Sequence, residues 1–593
     1  MLARARGLAA SPAASVALLV VVSTAARLAL GSRMSAPWII PDEALYSGLA
    51  ESLAEGRAPA IHGVVTLTWG LVYPLLIAPA WLAFPPETAY HAALAINAFV
   101  MSLAAIPAYA LARMFVSRRG ALLVASTTLL VPSMAYTGVV MTETAFYPAF
   151  LAAVLAIARA VERPSVARQV AALSALGLLA LVRPQGVVLA GAYAGCILAS
   201  GLFVGPGERA RYLTRFAPSA LFSAAALIAV VGGSWVKGHG ALGWLGAHAG
   251  AVGDVDFVEV PIWFVLQLSD LLLYTAVAPI AAVSVLALSR TTRTDARSRL
   301  YVAVFVPIAL TMFLTVALVG AAVDVDGQET VDERYLFYLV PLLLVGLALW
   351  IERGLPRPRR VTVIVLALSC VLAVLLPVDR VSYNADFQAF ALLPWLLFES
   401  WVAIAAAMLA FTVACGLVWA RVQPARSGHL WLLVGGWFVI VGVVAHQGMA
   451  VESTHSRADR IGDRPSWIDD VAAGTQVAAL WDEARASSRP DVAYQALVVN
   501  DVFNRSVDRM LRLGPTTYYE HVLPTVPVRL GGGGLVLDGA GAPVRIPFVL
   551  TRCDMPVVGD VVARQRNADL VLYRVDPPLR VGGEPSCGRQ GAS

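Results

Sequence analysis

Apolar stretches long enough to cross a bilayer recur through most of this chain, and the loops between them alternate between arginine-rich and arginine-poor. A hydrocarbon core of about 30 Å takes about 20 apolar helical residues, and unpaired backbone groups exclude nearly every other spanning structure. About thirteen segments qualify by that length criterion, at 13–31, 88–115, 120–138, 144–160, 168–183, 185–203, 213–236, 262–288, 299–322, 336–351, 361–377, 391–419 and 429–447. Positively charged loops stay in the cytoplasm. With the N-terminus inside, the inner loops collect Arg113, Arg118 and Arg119, then Arg159, Arg163 and Arg168, then Arg209, Arg211 and Arg215. Further along they take Arg290, Arg293, Arg297 and Arg299, then Arg353, Arg357, Arg359 and Arg360, and finally Arg421 and Arg426. The outer loops hold only Arg33, Arg57, Arg183, Lys237, Arg334 and Arg380. The expected fold is a polytopic α-helical membrane protein in the plasma membrane, with a cytoplasmic N-terminus.

Composition agrees. Apolar residues make up 58% and charged residues 14% of the chain, far from the balance of a soluble domain. The net charge of +5 is carried by arginines in alternate loops, with Lys237 the only lysine, which is membrane orientation and not a nucleic-acid footprint. Arg4 and Arg6 precede the first apolar run without a cleavage site, so that run reads as a retained span. Cys196, Cys370 and Cys415 fall within spans, where cysteine behaves as a small hydrophobe.

Two segments depart from the pattern. Counting 68–84 as a span would reverse every later loop, and Pro74 and Pro79 with flanking aromatics suit a re-entrant or interfacial helix on the outer side. Ala44 to Glu55, with Leu45, Leu49 and Leu53 on one stripe, reads as an amphipathic helix on the outer leaflet. After about 450 the hydrophobic runs shorten and turn signals appear at Gly531 to Gly534, Asp538-Gly539 and Asp576-Pro577-Pro578. The chain therefore divides into a transmembrane domain, 1–449, and an extracytoplasmic α/β or α+β domain, 450–593. In the latter Gln476–Trp481, Leu535–Leu537, Val544–Leu550 and Leu570–Val575 read as strands and Arg489–Leu513 mainly as helix. Cys553 and Cys587 form an even pair in a domain placed outside, so a disulfide is expected.

Ionisable residues of the membrane part gather on the outer side: Pro41-Asp42-Glu43, Met141-Thr142-Glu143, Arg183-Pro184, and Asp332-Glu333-Arg334-Tyr335. Acids at helix starts are ordinary caps. Arg183 and Arg334 fit that account poorly, because each stands where a span begins, at the positive end of a helix dipole, unless an anion approaches. Loop histidines such as His62, His91 and His239 are ordinarily solvated, and Trp38, Tyr46, Trp69 and Tyr73 suit an interfacial belt. Asn504-Arg505-Ser506 matches a glycosylation acceptor on three residues only.

In order and on one side, Pro41-Asp42-Glu43-Ala44-Leu45-Tyr46, Met141-Thr142-Glu143, Leu181-Val182-Arg183-Pro184 and Asp332-Glu333-Arg334-Tyr335-Leu336 resemble the GT-C class of membrane glycosyltransferases. That class includes protein O-mannosyltransferases and lipid A aminoarabinose transferases, and the arginine- and alanine-rich usage with the added tail is similar to an actinobacterial branch. The resemblance covers about residues 1–350 and implies an enzyme of cell-envelope glycan biosynthesis. Such an enzyme moves a sugar from a polyprenyl-phosphate donor, with inversion, to an extracytoplasmic glycan, lipid or protein acceptor. By resemblance Asp42 or Glu43 is the catalytic base, and Glu143, Arg183, Arg334, Tyr335, Glu333, Lys237 and His62 bind substrate. Some members hold a divalent cation and others none; Asp42 and Glu143 are the candidate ligands here, and no other cofactor is implied.

The rival is a secondary transporter or a flippase of lipid-linked sugar. Transporters place charge near the midplane on broken helices and often show inverted repeats. Here the spans are nearly free of charge and no repeat is visible.

Overall fold

The computed structural model describes residues 11–66, 69–236, 255–289, 295–322, 330–472, 474–485, 490–515 and 522–587. They fall into two compact units, one of Met1–Leu28, Asn97–Thr137 and Thr142–Gly448, the other of Ala29–Ile96, Gly138–Met141 and Met449–Ser593. The second unit is therefore more than the tail, since it takes in the first long loop and a four-residue stretch before Thr142.

The first unit is helical. Among the described residues of the chain, eight helices are long and apolar enough to cross a membrane, and two bent pairs raise the number to ten. Ala217–Val236 leaves Leu221, Phe222, Leu227 and Ile228 exposed on an almost wholly apolar surface, as expected of a helix solvated by lipid. Two expected spans, 168–183 and 361–377, form 17-residue helices, Val166–Val182 and Arg359–Leu375. At 1.5 Å per residue these are about 25 Å long, near the lower limit for spanning.

Not every expected span is continuous. The 262–288 run breaks into Val260–Tyr274 and Ala278–Leu288, inclined at 119°. Ala276 and Val277 adopt φ of 51° and 66°, a region that a β-branched residue seldom enters and that no α-helix can continue through. A gentler break of 51° splits 118–138, where Pro132 cannot donate into the preceding turn.

In the second unit the helix Asp42–Ala54 carries two acids in its first turn, which complement the helix dipole. The face that carries Leu45 and Leu49 does not meet lipid. Leu45 and Leu49 are fully buried, as are Ala44, Tyr46 and Ala50, because the helix packs on Val72–Ala83 and on Pro490–Val502 of the tail. The leucine stripe faces protein, so its periodicity could not by itself name the apolar phase. Val72–Ala83 has 12 residues, about 18 Å, too short to span.

The tail folds around a seven-stranded sheet: β3 (Val477–Asp482), β4 (Val507–Leu513), β5 (Val526–Leu530), β6 (Val536–Leu537), β7 (Phe548–Arg552), β8 (Asp560–Gln565) and β9 (Leu570–Arg574). A two-residue pair, β1 (Ala60–Ile61) and β2 (Val64–Val65), stands apart in the first loop. Spatial order is β6-β5-β4-β3-β7-β9-β8, parallel from β5 to β7 and antiparallel at both margins. The helix Pro490–Val502 connects the parallel neighbours β3 and β4, an α/β crossover. The reading of Arg489–Leu513 as mainly helix is thus corrected at its second half. Asn504 stops the helix by turning its amide onto Asn500 O and Pro465 O while its oxygen accepts from Ile468 N and Asp469 N. That side chain is 1% exposed, so the glycosylation motif is a buried structural asparagine. The strand expected at Val544–Leu550 begins only at Phe548. Cys553 and Cys587 are joined by a disulfide.

Candidate functional site

Pro184 ends the helix Val166–Val182 by forcing Arg183 into an extended conformation, φ −154°, ψ 130°, the usual restriction on a residue before proline. The Arg183 side chain turns inward and is 9% exposed. Its Nη1 donates to Glu143 Oε1 at 2.5 Å and to the Tyr338 hydroxyl at 3.4 Å. Glu143 is the first residue of the helix Glu143–Glu162 and is wholly buried. Burial disfavours the Arg183 charge, but Glu143, then Tyr338 and Tyr335, more than offset it and raise its pKa. Arg183 stands between two helices, after the electronegative end of Val166–Val182 and before Pro184–Leu202, whose first four residues form a 3-10 turn, so the two dipoles act on it in opposite senses. What holds the cation is Glu143.

The second arginine comes from the 3-10 turn Glu333–Tyr335. Arg334 Nη2 donates to the Tyr335 hydroxyl at 2.6 Å. The guanidinium carbons of Arg183 and Arg334 each lie 4.8 Å from the Tyr335 ring centroid. Tyr335 therefore gathers two like charges at one half-exposed ring, a cation–π geometry that lowers but does not cancel their repulsion. Asp332, 7% exposed, is pushed up to about 6 by burial, with Arg334 and Arg183 opposing the rise. Glu333 is wholly buried, its Oε2 accepts from Ala391 N at 2.7 Å, and burial with the nearby Asp270 holds its pKa well up. The structure thus brings Glu143, Arg183, Arg334 and Tyr335 together. It adds Tyr338 and Asp332, which sequence reasoning missed although both lie within or beside the Asp332-Glu333-Arg334-Tyr335 run.

In the second unit Asp42 and Glu43 differ in their surroundings. Glu43 is 0% exposed. Its Oε1 accepts from Trp38 N (2.8 Å) and Ile39 N (3.1 Å), and its Oε2 from Val140 N (2.9 Å) and the Tyr90 hydroxyl (3.0 Å). Burial pushes its pKa up to about 7 against those four donors. Asp42, one residue earlier, is half-exposed. His62 has no ring nitrogen left for a substrate. Its Nε2 meets Asp501 Oδ2 at 2.9 Å and its Nδ1 meets Pro524 O at 3.3 Å. Lys237 lies outside the described residues. Among those described, no three His, Cys, Asp or Glu side chains gather to hold a metal ion.

No protein-family model and no curated protein matches the chain. Solved structures do. ArnT from Cupriavidus metallidurans bound to undecaprenyl phosphate aligns at TM-score 0.53 and 14% identity, over 93% of this chain and 97% of that one. The Archaeoglobus fulgidus oligosaccharyltransferase aligns at 0.42 and 14%, over 83% and 64%, and the arabinosyltransferase EmbB from Mycobacterium smegmatis at 0.42 and 13%, over 78% and 43%. At these identities the likeness to ArnT concerns the fold: this chain is built as a polytopic membrane protein with a C-terminal sheet domain.

Proposed function

We propose that this chain is a glycosyltransferase that moves a sugar from a polyprenyl-phosphate donor to an acceptor in the cell envelope, on the outer side of the plasma membrane. The observation that carries the reading is the pair of guanidiniums converging on Tyr335 with Glu143 fixing one of them. Two guanidiniums brought to one ring offer forked donors that match phosphate oxygens. The shared fold of ArnT, solved with undecaprenyl phosphate bound, supports a lipid phosphate as that anion.

The chemistry follows from what each residue can do. A sugar phosphodiester leaves as an ionised lipid phosphate, so no general acid is needed; fixed cations stabilise the charge that develops on the leaving oxygen. Arg183 and Arg334 take that role, and Tyr335 keeps them aligned. An acceptor hydroxyl needs a carboxylate to take its proton as the new bond to the anomeric carbon forms. Asp42 is the half-exposed carboxylate of the pair, while Glu43 holds the loop that presents it. Attack opposite the leaving phosphate inverts the anomeric centre. Glu143 is committed to Arg183, which makes it a poor metal ligand, and this mechanism uses no metal.

The arginine pattern supports an N-terminus in the cytoplasm and a tail outside. Purified protein incubated with a panel of radiolabelled polyprenyl-phosphate sugars and envelope extract tests the reading. Label should pass to an acceptor, and should stop passing in Asp42→Asn. Movement of intact lipid-linked sugar across proteoliposomes without any transfer would instead identify a flippase.

A further inference from the structure

The sheet of the tail has one covered face that is not filled. From Arg509 onward the odd-numbered side chains of β4 share a face: Leu511 and Leu513 are buried there in the core cluster with Ala478, Val528 and Ile546. Arg509 stands on that same face, just past a register shift after Val507, yet it is exposed. β4 is an interior strand, flanked by β3 and β5, and its register neighbour at Arg509 is Ala478, the smallest side chain available to leave room. The room is a cavity of about 440 Å³, floored by Leu511, Val528 and Ile546 and walled by Gly63 and Val64 of the β1–β2 pair.

The polar groups around it are unevenly balanced. Arg545 joins Arg509 at the cavity, and among the described residues it has no ion pair. Arg509 has only the adjacent Asp508, at 3.8 Å, an exposed pairing of small worth. The other lining groups are already engaged: Asp538 Oδ1 accepts from Ala540 N and Ala542 N, and His62 is held by Asp501. Two guanidiniums thus line an aliphatic floor, with Asp538 the one carboxylate in the lining and its Oδ1 already taken by two backbone N–H groups. The volume lies within the range of small-ligand sites, which pair apolar walls with a few fixed polar groups.

We propose that this cavity binds an acidic saccharide, a sugar bearing a carboxylate or a phosphate. The aliphatic floor takes the C–H face of the ring and the two arginines take the anion in forked hydrogen bonds. That this ligand is the acceptor rests on the glycosyl-transfer reading above; that the cavity binds it does not.

The test is titration of the full chain in nanodiscs with glucuronate, glucose 6-phosphate, glucose and inorganic phosphate, read by calorimetry. At least one charged sugar should bind ten-fold or more tighter than glucose and than inorganic phosphate, and which of the two binds identifies the anion. Arg509→Ala and Arg545→Ala should each weaken that binding at least ten-fold. Both side chains are exposed, so the melting temperature should not move. Equal binding of glucose, equal binding of inorganic phosphate, or indifference to both substitutions overturns the proposal. Parallel titration with a polyprenyl-phosphate donor separates the two readings. Donor binding and transfer without charged-sugar binding removes the cavity and leaves the transferase; charged-sugar binding without any turnover does the reverse.

Discussion

Glu43 and Asp42 are sequence neighbours with opposite surroundings, and the difference decides what each can do. Glu43 spends both carboxylate oxygens on four donors inside the protein. Glu43→Gln turns an amide N–H₂ toward donors that need an acceptor, a change worth about 1–3 kcal/mol for a buried group. Thermal unfolding should show a lower melting temperature for Glu43→Gln and none for Asp42→Asn. Turnover should behave the other way, with Asp42→Asn losing at least ~10² as a missing general base does; a fully active Asp42→Asn would end its assignment. The Pro41-Asp42-Glu43 run announces both acids in sequence but not the division between them, because two of the deciding donors, Val140 N and the Tyr90 hydroxyl, are 97 and 47 residues away. Asp332 gives a pH signature. Its carboxyl is raised to about 6, so it is charged above that value and neutral below it, and protonation removes a negative charge beside Arg183 and Arg334. A phosphodiester donor analogue, whose own charge does not change there, should bind more tightly at pH 5 than at pH 8. Asp332→Asn should flatten that dependence and bind like the wild type at pH 5; an unchanged slope in the variant would place the titrating group elsewhere.

Elements were legible where one rule decides them and obscure where tertiary partners do. Leu570–Val575 and Gln476–Trp481 are apolar runs between turn residues and fold as β9 and β3. β4 was hidden because Val507, Leu511 and Leu513 follow helical residues without a proline or glycine, and the stop at Asn504 depends on four hydrogen bonds made across the fold. The break at Thr275–Val277 has no such mark before Pro279, since every residue in it is apolar or small. The β1–β2 pair illustrates a contact that only folding reveals: His62, read as a loop histidine, pins this hairpin to Asp501 and Pro524. Burial lowers the pKa of the ring, but Asp501, Pro524 and Asp508 together raise it above the usual 6.5. A raised folded-state value means the ion pair stabilises fully below about 6.5 and fades as pH rises through the folded value. His62→Phe should therefore lower the melting temperature more at pH 6 than at pH 9. A constant or growing difference with rising pH would show that the ring is held neutral.

At the scale of the whole molecule, the arginine alternation and the disulfide are two separate statements about compartments. Arginine-rich loops face the cytoplasm, so Ser117→Cys, beside Arg113, Arg118 and Arg119, should react with an impermeant maleimide only after permeabilisation. Ser382→Cys, in a loop whose only cation is Arg380, should react in intact cells. A bond such as Cys553–Cys587 persists in an oxidising compartment, so it supports a tail outside by chemistry that owes nothing to charge counting. The even cysteine pair made the bond legible in sequence. Its packing was not: Ser586 N and Cys587 N both donate to Cys553 O, so the last described residues are tied down on both sides of the bond. The bond spans 34 residues, and in the chain-entropy account closing a loop of that size stabilises by about 3–4 kcal/mol. Cys553→Ser, Cys587→Ser and the double variant should therefore lower the unfolding temperature of the protein by the same amount, and dithiothreitol should match them on the wild type while leaving the double variant unmoved. Non-reducing peptide mapping should recover one cross-linked pair. Alkylation of both thiols in protein taken from intact cells without reductant would remove the bond, and with it the chemical argument that the tail lies outside, leaving the arginine pattern to stand alone.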